Sequence, residues 1–192
     1  MGTRGAIGFK VDGKYKVTYN HFDSNPDSLG AEIVAFVTDV VKNGGIETLK
    51  VHAKKVRLVK EDQDATVQDI KKYGEFLDLD VGNKKSQNWY CLLRALQGIA
   101  GLEAIHAGKV DVMIDSFAFL GDSLFCEYAY IINLDENRIE FYEGFNKSPD
   151  KDNPLPIPQT ADEDYCPVHF NGSCPLDAIP TDWQNKFYPG KE

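Results

Sequence analysis

Two β-rich runs broken by turns constrain this chain more than any other feature, because they lie far apart in sequence. The first is GAIGFKVDGKYKVTYN (residues 5–20) and the second is SLFCEYAYIINLDENRIEFYEGF (residues 123–145). In the first, Val11-Asp12-Gly13-Lys14-Tyr15 carries the turn chemistry of a hairpin. A three-residue loop with Gly13 at the left-handed position pairs Val11 with Tyr15, Phe9 with Val17, Ile7 with Tyr19, Gly5 with His21 and Thr3 with Asp23. That register gathers the large apolar residues on one face, as a half-buried sheet requires. A two-residue loop would mix Lys14 and Lys16 with Phe9 and Val11. The three-residue loop is therefore expected. In the second run, Ser123 to Leu134 reads as a long strand, Asp135-Glu136-Asn137-Arg138 as a turn, and Ile139 to Tyr142 as the returning strand.

The residues between the hairpins have helical spacing. Ile33, Phe36, Val37, Val40 and Val41 form one apolar stripe, closed by Asn43-Gly44-Gly45. Ile46, Leu49, Ala53 and Val56 form a second. Thr66 and Asp69 approximate a capping box for a third helix carrying Ile70, Tyr73 and Leu77. Trp89, Leu92, Leu93 and Leu96 mark a fourth, ending at Gly98 or Gly101. Val110 to Ile114 is a short apolar run that periodicity alone does not assign. No internal repeat is present. The expected fold is α+β: one antiparallel sheet built from N- and C-terminal hairpins, with about four helices packed on it.

Residues 1–145 are expected to be a single α+β domain. From 146 to 192 the composition shifts to an acidic, proline-rich extended segment (Pro149, Pro154, Pro156, Pro158, acids through Asp164). An aromatic tail (Trp183, Phe187, Tyr188) then packs back on the domain. The net charge of −9 argues against nucleic acid and anionic membranes, which need concentrated Lys and Arg. No run approaches the roughly 20 apolar residues of a membrane span. The N-terminal residues have no apolar h-region, and Ala6 stands where a myristoylation signal needs Ser or Thr. The four cysteines read as free thiols, and the expected location is cytoplasmic.

Four clusters carry chemically useful side chains. In the expected register His21 and Asp23 share the hairpin's apolar face with Thr3 opposite, bringing a base, an orienting acid and a hydroxyl together. Asn20, Asp23 and Ser24 also suit a turn into a helix. Arg4 is one residue out of phase. Tyr90, Arg94 and Gln97 form one polar stripe, and an Arg beside an amide clamps a carboxylate or phosphate. Glu127 either faces an apolar surface, where its acidity would weaken, or is exposed if the strand alternates the other way. Cys166, His169 and Cys174 lack a fourth ligand and match no standard spacing, so no metal is expected. No phosphate-binding loop, dinucleotide fingerprint or nucleophile elbow occurs, and no cofactor is expected.

The words MGTRG, YNHFDS followed by LG, WYCLLRALQG, and DSLFCEYAYIINLD with FYEGF resemble a family of proteins encoded by tailed phages, bacteria and fungi. The resemblance spans residues 1 to about 145. Those sequences usually read Tyr-Pro after NHFDS, where this chain has Asn25-Pro26, so an aromatic wall is not implied here. The family has no established activity. A looser likeness is to choloylglycine-type N-terminal nucleophile amidohydrolases, with Thr3, Asn20 and Asp23 in the matching places. That chemistry uses the free α-amine of the nucleophile itself, and removing Met1 alone exposes Gly2.

Three readings follow. The first is a protein that binds or processes a small polar or anionic metabolite in a His/Asp/Arg pocket, as a hydrolase or transferase without an obligatory cofactor. Its base would be His21, oriented by Asp23, with Thr3 and Glu127 as further catalytic candidates. Its ligand-binding candidates are Arg4, Asn20, Ser24, Tyr90, Arg94 and Gln97. The second is a non-enzymatic viral or host-interaction protein whose protein partner meets the proline-rich stretch and the aromatic tail. The third is an amidohydrolase of the N-terminal nucleophile kind.

Overall fold

The computed structural model describes residues 2–159 and 164–190. Its strands are β1 (Gly5–Val11), β2 (Lys14–Asn20), β3 (Arg57–Val59), β4 (Val112–Ile114), β5 (Tyr128–Asn133), β6 (Arg138–Glu143) and β7 (His169–Pro175). The helices are α1 (Ala31–Lys42), α2 (Ile46–Lys55), α3 (Val67–Tyr73), α4 (Trp89–Leu92), α5 (Ile99–His106) and α6 (Trp183–Phe187). The fold is α+β. Five strands in the order β2-β1-β5-β6-β7 form the main sheet, and β3 and β4 form a small parallel pair. The two hairpins meet through β1 and β5, which run parallel, so the sheet is antiparallel except at that seam.

The first hairpin corrects the expected register. Its loop has two residues, Asp12 and Gly13, both left-handed (φ 51° and 69°), the signature of a type I′ turn. Val11 therefore faces Lys14, Phe9 faces Lys16, and Gly5 faces Asn20. The backbone N–H groups of Asp12 and Gly13 donate to the Asp135 carboxylate at 2.8 and 2.9 Å, tying one hairpin's turn to the other's. Two facts remove the objection to this register. Lys16 does not meet water: its buried Nζ donates to the carbonyls of Ala53, Lys54 and Val56 at the C-terminal end of α2 (2.9, 2.8 and 2.6 Å). The sheet is also covered on both sides, so neither face of the hairpin has to be polar.

On one side Ile7, Phe9, Val11, Tyr130, Ile132 and Phe141 pack with the helices. On the other, Ala6, Val17, Ala129, Ile131 and Tyr142 pack with Leu120, Leu155 and Val168. The apolar stripe of α1 buries Ile33, Val37 and Val40. A helical turn over Pro26–Gly30 leads into α1, with the Asn25 side chain accepting the Ser28 N–H. The capping box at α3 forms as expected, with Thr66 and Asp69 bonded reciprocally.

Other elements depart from the sequence expectation. The fourth helix is shorter than expected: α4 stops at Leu92 and a tight turn spans Arg94–Leu96, while α5, a helix beyond the expected end, starts after Gly98. Gly98 has φ 67° and ψ −145°, a conformation open essentially to glycine alone, and it ends the first helix's direction. The long strand from Ser123 is shorter, because Phe125 and Cys126 donate back to the Asp122 carbonyl in a turn before β5 begins. The unassigned run at Val110–Ile114 contains β4. Within the expected tail, β7 pairs with β6 and becomes the fifth strand. Trp183 and Phe187 stack on Phe141 at 5.2 and 4.5 Å between ring centres, and Tyr188 is buried beside them. Residues 160–163 of the proline-rich stretch lie outside the described residues. Leu155 of that stretch is buried in the second core. Among the described residues no helix is long and apolar enough to cross a membrane, and all four cysteines are free and buried.

Candidate functional site

The site residues collect at the end of the sheet where β2 stops and where β1 and β5 begin. Asn20 closes β2, and its Nδ2 donates to Ser24 Oγ at 2.7 Å and to the Phe22 carbonyl. Ser24 is fully buried; its N–H donates to the Thr3 carbonyl (3.1 Å), and its carbonyl accepts from Tyr130 Oη (3.0 Å). Asn20, Ser24 and the Thr3 backbone thus form a knot that turns the chain off the sheet. Asp23 takes a left-handed conformation (φ 52°) within that turn, and its carbonyl accepts the Leu29 N–H.

His21 does not pair with Asp23. The one-residue change of register and the left-handed backbone at Asp23 separate them, and His21 Nδ1 instead meets Tyr19 Oη at 2.7 Å. Phe22 packs edge-on against the imidazole, with ring centres 4.2 Å apart. Burial first, then the Arg94 and Arg4 guanidinium groups, hold the His21 pKa below its ordinary 6.5. Burial raises the Tyr19 phenol, opposed by Arg4. At neutral pH the pair is therefore neutral imidazole and phenol. If the phenol donates, His21 Nε2 carries a proton outward; if Nδ1–H donates, Nε2 is an oriented base.

Arg4 and Glu127 are joined through the Arg4 backbone rather than by an ion pair. Arg4 N–H donates to Glu127 Oε1 (3.1 Å), and Glu127 N–H donates to the Arg4 carbonyl (3.0 Å). Oε1 of the Glu127 carboxylate thus fastens the start of β1. The Arg4 guanidinium lies over the half-exposed Phe125 ring, 5.3 Å from its centre.

The second wall comes from the turn between α4 and α5. Arg94 lies over the Tyr90 ring at 5.9 Å and donates from Nη1 to Gln97 Oε1 at 3.0 Å. Its Nε is buried with no partner among the described residues. Beyond the bond to Gln97 the guanidinium keeps donors of the kind that hold carboxylates and phosphates. Arg94 and Gln97 line a cleft of about 350 Å³ together with Asn20, Phe22, Asp23, Glu32 and the first residues of α5, Gly98, Ile99 and Ala100. No side chain caps α5, so the open N–H groups of its first turn belong to residues lining the same cleft. Anions are favoured at such an end by those donors and by the helix dipole.

The sequence brings Asn20, Asp23, Arg94 and Gln97 to one cleft. His21, Thr3, Arg4, Ser24, Tyr90 and Glu127 lie outside its lining; Tyr90 stacks on Arg94, and the Arg94 charge bears on His21. Sequence reasoning missed Glu32, Phe22 and the α5 N-terminus; only the last left a trace, in the glycine at 98. Among the described residues no group of three or more His, Cys, Asp or Glu could hold a metal ion. His169 instead pairs with Asp150 at 3.0 Å. Comparisons with protein-family models, with curated proteins and with solved structures return no match to this chain.

Proposed function

We propose that this protein binds a small anionic molecule in the cleft between the hairpin end and the start of α5, with Arg94 as its clamp. The observation that carries the reading is Arg94 itself. It is held in place by Tyr90 and Gln97, has an unpaired buried Nε, and lines the cleft beside an uncapped helix N-terminus. A guanidinium held in place with donors left unfilled suits a carboxylate or phosphate. Binding is the part the geometry favours. Processing would require His21 Nε2 to reach a ligand from beyond the cleft wall. The amidohydrolase reading draws no support, since Thr3 is outside the lining. The interaction-protein reading loses its aromatic tail, which is buried, and would rest on the half-exposed Phe22, Phe125 and Phe145 at the same end of the sheet.

The test is thermal stability of the wild type and of Arg94→Lys against carboxylates, sugar phosphates, nucleotides and amino-acid derivatives. A ligand at about 100 times its Kd adds about 2.7 kcal/mol, which is a rise of about 5–10 °C in Tm for a domain of this length. Arg94→Lys should weaken that ligand tenfold or more. Anions that bind both proteins equally, or no anion that binds at all, would refute the reading.

A further inference from the structure

Beside the anion cleft lies a second, apolar cavity of about 50 Å³, walled by Leu102, Ile105, Val112 and Met113, with Tyr19 and Tyr90 also in its lining. The cavity and the cleft share Gln97 and Gly98 as a common wall. The same glycine that opens the α5 N-terminus therefore separates a polar chamber from a greasy one, and it presents no side chain to either. Asp23 and Glu32 line the cleft along with Arg94. Two acids beside one clamp repel a ligand of high negative charge, such as a phosphate dianion or a nucleotide, far more than a monoanion.

We infer that the ligand is a short-chain aliphatic carboxylate, its carboxylate on Arg94 and the α5 N-terminus and its hydrocarbon crossing at Gly98 into the apolar cavity. This rests on the proposed anion site and names its substrate class. The cavity sets the length: at about 10–15 Å³ of open space for each water-sized group, its 50 Å³ accepts about four carbons. A tail of that length crosses only the thin wall at Gly98, where no side chain stands, and a longer chain meets the packed core behind Leu102 and Ile105, both buried.

The experiment is calorimetric titration of the full chain with the straight-chain carboxylates from acetate to octanoate, and with the monoalkyl phosphates of matching length. Thr18→Leu, which narrows the cavity from β2, and Arg94→Lys are titrated in parallel. The expected result is affinity rising about fourfold for each of the first four or so methylenes, the fold-change for about 0.8 kcal/mol per buried CH₂, and levelling beyond. Thr18→Leu flattens that rise, Arg94→Lys weakens every member, and the phosphates bind more weakly than the carboxylates. Affinity independent of chain length but lost in Arg94→Lys overturns the tail assignment and leaves the anion site standing. Phosphates binding more tightly than carboxylates overturns the substrate class alone. A length dependence that Arg94→Lys does not touch, or no binding by any member, overturns the anion site and this inference with it.

Discussion

Lys16 offers a quantitative test of how the sheet is anchored to the helices. Replacing it with Met keeps most of the aliphatic stem and removes the ammonium. Three bonds to the carbonyls of Ala53, Lys54 and Val56 are then lost. At about 1.5 kcal/mol each, the low end for bonds to a charged group, they amount to about 4–5 kcal/mol. Returning the ammonium to water in the unfolded chain no longer counts in the fold's disfavour, which offsets part of the loss, because burying an ion is costly. The net loss should be about 2–4 kcal/mol, since the carbonyls of a helix end left without a donor keep their own desolvation penalty. For a domain of this length that corresponds to a fall of about 5–15 °C in Tm. Calorimetric melting and urea titration measure it, with the midpoint expected to drop and the slope to stay constant. A Lys16→Met protein within about 0.5 kcal/mol of the wild type, the range of ordinary surface substitutions, would show that the three carbonyls are satisfied without the ammonium and that the argument for the register is wrong.

Gly98→Ala should cost about 1–3 kcal/mol of stability, because its backbone conformation is open essentially to glycine. The space itself is adequate, with Asn20 Oδ1 and Leu29 Cδ1 at 3.5 and 3.7 Å from a built Cβ; urea denaturation measures the loss. Tyr142→Phe removes one of the two donors, at 2.7 Å each, that serve the buried Glu140 carboxylate, the other being Asn133. It should destabilise by about 1–3 kcal/mol in the same assay. The lowered His21 pKa makes stability depend on pH: below its ordinary 6.5 the unfolded chain binds a proton that the folded one resists. That contribution is complete above pH 6.5 and declines as pH falls toward the folded pKa. His21→Gln should therefore lose less Tm than the wild type between pH 7 and pH 5.5, and parallel curves would contradict the assignment.

The helices α1, α2 and α3 were legible because each carries its own signal: an apolar stripe, a closing glycine pair or a capping box. What stayed hidden depended on partners remote in sequence. Lys16 reads as a solvent residue until the end of α2 is brought beside it, and that one misreading shifted the hairpin by a residue and placed His21 opposite the wrong groups. β7 (HFNGSCP) has no alternation to find and becomes a strand only because β6 offers an open edge. In the site, Arg94 and Gln97 were legible as neighbours on one stripe, three residues apart. Their meeting with Asp23 and the start of α5 was not, because the helix after Gly98 has no stripe that marks it and Asp23 is distant in sequence.

The parallel seam between β1 and β5 also has a history in time. Each hairpin joins residues close in sequence and closes early, but the seam joins Gly5 to Tyr128 and waits for the whole helical stretch between them. Such distant pairing slows folding. During synthesis, at about 5–20 residues per second, the edge of β1 stays unpaired for many seconds after it leaves the ribosome. In that interval Ile7 and Phe9 border an open strand edge, the kind of template that recruits other chains. Nascent chains truncated before Tyr128 should therefore be the ones that aggregate or engage chaperones, and chains extended past Asn133 should be released from them.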